Sequence, residues 1–211
     1  MKKFLKLLGV MVFIFVLMIG FSVMSLMKNG NKSTINASAE EVEAAVQQMG
    51  NGILDGGFYL DGKVYELPVM VSDLLDGGWV LDEDFTKQYA EFPANTVTNY
   101  MNIDNANDNQ KLLSITLLNP YEEKVALEEV YIERLSISLL TANKIILPQG
   151  ITWKSTLEEV EAAYGEPTKK STDDTGASIE YNNETWTVTL FFDTDENGKT
   201  TMSGVNYSLN D

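Results

Sequence analysis

From Leu7 to Met27 the chain runs for 21 residues without a charge, directly after Lys2, Lys3 and Lys6. As a helix rising about 1.5 Å per residue, such a run covers the roughly 30 Å hydrocarbon core of a bilayer. The 211-residue chain therefore divides into a signal anchor over residues 1–28, a polar tether over 29–38, and a remainder that must fold outside the cytoplasmic membrane. The lysines hold the N-terminus on the cytoplasmic side, which makes the chain a single-pass membrane protein with an extracytoplasmic C-terminal part. The alternative is secretion after cleavage near Ala39, where Ala37-Ser38-Ala39 has the small-residue pattern of a peptidase site.

The remainder folds without covalent help. It contains no cysteine, so neither disulfides nor a lipidated cysteine are available, and stability must come from the core. This composition reads as an exported bacterial protein. All acids lie beyond residue 39, and residues 40–211 carry ten basic against 31 acidic side chains, a net charge of −21. Nucleic acid is excluded as a partner, because its binding depends on cationic side chains displacing counterions. A basic protein, a cation or a cationic wall surface is favoured electrostatically, and the same charge keeps an exported domain soluble.

Two helix-plus-sheet units are predicted, residues 39–142 and 143–211, giving an α+β fold. Ser38 and Glu41 form a capping box opening a helix whose apolar face is Val42, Ala45, Val46 and Met49, with Gly50 and Gly52 beyond. A hairpin follows, with Asp61-Gly62 at its turn between Phe58-Tyr59-Leu60 and Val64-Tyr65. Ser72 is expected to cap a short helix before Trp79. Strands are predicted over 96–103, 111–119 and 130–138. In the second unit, Lys144 to Leu147 reads as a strand, Thr156 and Glu159 as a capping box, and Gly165-Glu166-Pro167 as a helix stop. Three strands are expected after it, over 178–181, 185–193 and 200–209.

The segments Gly150-Ile151-Thr152, Thr156-Leu157-Glu158-Glu159-Val160 and Ala163-Tyr164-Gly165-Glu166-Pro167 carry a resemblance. They are similar to the opening of small α/β repeats found in β-lactamase-inhibitor-like modules and in outer-membrane assembly lipoproteins of the SmpA/OmlA type. The later strands, with Phe191-Phe192-Asp193, Gly198 and Val205-Asn206-Tyr207, resemble the meander of those repeats. Leu67-Pro68, Ser72-Asp73-Leu74-Leu75 and Gly78-Trp79 form a partial earlier echo, and the pattern also resembles exported Firmicutes-type proteins of unknown function. The lipid-bearing cysteine of the assembly lipoproteins is missing. The resemblance implies a non-catalytic binding module.

The census of reactive groups points the same way. With no histidine, serine triads, cysteine-histidine pairs and imidazole acid-base chemistry are closed, and no Walker loop or dinucleotide fingerprint occurs. No cofactor is expected. Binding candidates are Trp153, Trp79 and Trp186, of the residue type enriched in interface hot spots, with core packing as their commoner fate. Asp193, Asp195 and Asn197 before Gly198 match the first half of a calcium loop, but position twelve is Gly204 where a glutamate is needed, and a polar hairpin turn accounts for the same residues. The expected activity is protein binding at the cell envelope. The alternative is a glycan binder or a carboxylate-dependent glycan hydrolase using the tryptophans as sugar platforms.

Overall fold

The computed structural model describes residues 35–210 except Gly56 and Ala142, and of Asn109 and Gln110 the backbone alone. The uncharged run Leu7–Met27 lies outside the described residues; among these, no helix is long and apolar enough to cross a membrane.

The architecture is α+β, with antiparallel sheets and few helices. Among the described residues there are four α-helices: α1 (Ala39–Val46), α2 (Val71–Asp76), α3 (Glu83–Gln88) and α4 (Leu157–Tyr164). A small sheet is built from β1 (Phe58–Leu60), β2 (Lys63–Tyr65) and β10 (Ile145–Ile146), and β4 (Glu91–Phe92) pairs with β8 (Val125–Ala126). The principal sheet has nine strands. Eight run in the order β11 (Lys169–Asp173), β12 (Gly176–Asn182), β13 (Trp186–Thr194), β14 (Thr200–Leu209), β9 (Tyr131–Ser138), β7 (Asp108–Asn119), β6 (Met101–Asn105) and β3 (Trp79–Val80). The ninth, β5 (Thr96–Val97), pairs with the far end of β7.

That order has an internal logic. In each half of the chain a helix, α2 or α4, precedes four strands laid down in sequence, and the last strand of each half meets the other at the centre. The seam is β14 against β9, with Asn206 opposite Ser136 and flanking pairs Val205–Ile137 and Tyr207–Leu135. Hydrogen bonding therefore continues without a break from β3 to β11, across the boundary at residue 143. The core is equally continuous: Leu74, Trp79, Ile103 and Ile115 from the first half belong to one buried cluster with Val160, Val188, Phe192 and Val205 from the second.

Local chemistry accounts for these elements. Both capping boxes form, Ser38 with Glu41 and Thr156 with Glu159. The β1–β2 turn has positive φ at both Asp61 (49°) and Gly62 (109°), the geometry that lets two residues reverse a twisted ladder. Three expectations differ from the structure. Ser72 does not cap α2; Met70 is the cap residue, and the Asp73 carboxylate accepts its N–H at 2.9 Å. The strand expected over 96–103 is broken into β5 and β6. The second half has four strands rather than three, since β11 is an edge strand of polar, exposed residues with no apolar alternation to betray it.

One face of the principal sheet is covered. The small sheet docks there through Phe58, whose ring stacks on Tyr207 at 4.9 Å and on Tyr65 at 5.4 Å. Helix α4 adds Leu157 and Val160 to the same core.

Candidate functional site

The other face of the principal sheet is open. Strand periodicity sends alternate side chains to opposite faces. On β9, Leu135 and Ile137 enter the core while Arg134, Ser136 and Ser138 face out. On β13, Val188 and Leu190 are buried while Thr187, Thr189 and Phe191 face out. Register then aligns these outward residues into rows. One row reads Asn102, Ser114, Ser136, Asn206, Thr189, Glu180 and Lys169 across seven strands. At about 4.8 Å between strands, it forms a band of roughly 29 Å, five hydroxyl or carboxamide side chains followed by the ion pair of Glu180 and Lys169.

The neighbouring row contains a pit. Ser138 lies opposite Gly204 and Gly204 opposite Phe191, so the missing side chain of Gly204 leaves a floor between two walls. A bulge in β14 at this point sets Phe191 against Gly204 and Phe192 against Met202, leaving Ser203 extra. Leu112, Leu140 and Asp193 also line the resulting space of about 290 Å³. Leu140, carried on the short 3-10 turn Leu139–Thr141, is 93% exposed, and Phe191 is 38% exposed. Large apolar side chains in contact with water at a concave site are the informative kind of exposure.

Hydrogen bonding around the pit is partly preformed. Ser114 donates to the Asn102 side chain, and the Tyr100 hydroxyl bonds Ser136. Thr116 donates to Glu133 at 2.7 Å. This arrangement offers donors and acceptors for recognition.

The structure brings none of the three tryptophans to this face. Trp79, Trp153 and Trp186 are 1%, 3% and 6% exposed. Trp153 is fastened from inside: its indole N–H donates to the Asn143 carbonyl at 2.7 Å. Rings enclosed in this way present no face to a partner or to a sugar. Their bulk and apolar area are used in packing, and the polar neighbours Thr152, Lys154 and Ser155 concealed that for Trp153.

The residues of the half calcium loop separate into two roles. Asp195 Oδ1 accepts the backbone N–H groups of Asn197 and Lys199, both at 2.9 Å, and Gly198 has φ of 78°. The Lys199 amide first, then that of Asn197, holds the Asp195 carboxyl below its usual range. This is a side-chain-stabilised turn. Asp193 stands apart on the open face beside the pit. Among the described residues, no group of three acids, cysteines or histidines is arranged around a common point.

The outward residues of the open face had one sequence signal, alternation of small polar with apolar residues, as in Arg134-Leu135-Ser136-Ile137-Ser138. It marks a half-buried strand without saying that its outer face stays uncovered. No family model, curated protein or solved structure matches the chain.

Proposed function

We propose that the chain is a non-catalytic binding module, tethered to the outer side of the cytoplasmic membrane by residues 7–27, whose open sheet face receives a protein partner. The observation that carries the reading is the pit at Gly204 set in a wide band of hydroxyl and carboxamide side chains. A flat polar surface around a concave apolar centre is the anatomy of a protein interface, in which a polar rim surrounds a desolvated anchor. The covered face, by contrast, is occupied by α4 and the small sheet. Anchoring within the membrane would hold this surface close to other envelope proteins.

The test uses the full chain in membranes as bait, with crosslinking before extraction. Ser136→Arg combined with Thr189→Arg places two bulky cations on the open face and is expected to remove the captured partner. Glu158→Arg, on the exposed side of α4, is expected to leave capture unchanged. Equal capture by the open-face double variant would defeat the reading.

A further inference from the structure

Two carboxylates stand in or beside the pit. Asp193 lines it, and Asp104 on β6 lies beside Leu112 of β7, at the other end of the row that contains Gly204. Neither carboxylate has a hydrogen bond or ion pair among the described residues. Of the nearby cations, Lys169 is paired with Glu180 at 2.8 Å, Arg134 lies four residues along β9 from Ser138, with Glu133 at 3.8 Å, and Lys199 sits at the β13–β14 turn, two residues from Thr201, the partner of Asp193, and acts on Asp195. An apolar cavity with one unpaired carboxylate in its wall and a second beside its lining residue Leu112 has defined requirements. It accommodates an apolar side chain and leaves two negative charges waiting for counter-charges.

Resting on the open-face reading, we propose that the occupant is a basic polypeptide segment. One of its aliphatic or aromatic side chains enters the pit between Leu140, Gly204 and Phe191, while flanking lysines or arginines reach Asp193 and Asp104. The net charge of −21 over residues 40–211 supports this choice twice. It raises the local concentration of a cationic segment and speeds encounter. It also opposes a second copy of this chain, which would bring the same acidic field to the same face. The volume suits one large side chain, and Gly204 is the residue that makes it available: a Cβ there would stand 3.4 Å from the Phe191 ring.

The test measures binding of dye-labelled pentapeptides to the full chain in a neutral detergent, by anisotropy. One peptide has leucine between two pairs of lysines, a second replaces leucine by glycine, and a third replaces the lysines by glutamates. Saturable binding is expected for the first alone, weakening as salt is raised. Gly204→Leu fills the floor and should weaken binding about tenfold or more, as loss of an anchor site does. Because that side chain presses on Phe191, Leu140→Ser and Asp193→Asn provide exposed substitutions that leave the fold alone. Each should weaken binding severalfold. No saturable binding by the native chain, equal binding of the glycine peptide, or an unchanged affinity in all three variants would overturn the proposal. So would a stable homodimer in which Leu140 is protected. Partner capture that survives Gly204→Leu but is lost in the Ser136→Arg, Thr189→Arg chain would remove the pit as the anchor and keep the open face.

Discussion

At the scale of single residues, two buried asparagines organise the loops that sequence patterns leave undefined. Asn119 donates through its carboxamide to the carbonyls of Pro93 and Glu123, both at 2.9 Å. Asn143, with no exposure at all, donates to the Leu112 carbonyl at 2.7 Å and accepts the Trp153 indole on its own carbonyl. It thereby links β7 in the first half to the entry of α4 in the second. Trp153→Phe keeps most of the packing and removes the donor, leaving a buried carbonyl unpaired at a cost of about 1–3 kcal/mol. Trp153→Ala should cost about 3–5 kcal/mol through the cavity it leaves. Urea unfolding of the two variants measures both, and a negligible loss in either would place the ring outside the core. The sequence around Trp153 could not reveal this, because the partner carbonyl is reached only after the chain has turned back on itself.

At the scale of elements, helices were legible where capping residues announced them. Thr156 and Glu159 open α4 as expected, and Thr156→Ala should cost about 1 kcal/mol in thermal unfolding. Helix α3 lacked an apolar face to call attention to it, and β11 is held by ladder bonds and ion pairs to Glu180 and Glu161 rather than by burial. Helix α1 shows a third case. Its position against the small sheet depends on a small cluster of Ala37, Ala45 and Ile146, and on Glu41 meeting Lys144 at 2.7 Å. The Lys144 ammonium, helped by the Ser38 backbone N–H, lowers the Glu41 carboxyl from 4.5 to about 2. A depressed carboxylate stabilises the fold above the unfolded value and loses that contribution as pH falls from 4.5 towards about 2. Partial exposure and solvent screening limit it to about 1 kcal/mol. Lys144→Met should therefore lower stability at neutral pH and flatten the acid limb of a stability profile over that interval. An acid limb unchanged by the substitution would assign the slope to other carboxylates.

At the scale of the whole molecule, the seam between β9 and β14 decides behaviour. Its pairs, Val205–Ile137 and Tyr207–Leu135, bury side chains from both halves in one core, so the halves should unfold together. Variants retaining only Trp79 or only Trp186 report from opposite halves, and each fluorescence transition should coincide with its own far-ultraviolet circular dichroism transition. Two separated transitions would mean that the halves are independent. The two helix-plus-strand patterns could be read along the chain, but their junction could not, because a register between strands some 70 positions apart leaves no local trace. The same junction generates the open face: it places Gly204 beside Ser138 and aligns the polar rows of both halves. The most direct measurement is site-specific photocrosslinking in cells from Thr189 on the open face and from Glu158 on α4. Partner adducts are expected from Thr189 and not from Glu158; adducts from Glu158 alone would contradict the assignment of the open sheet face as the binding surface.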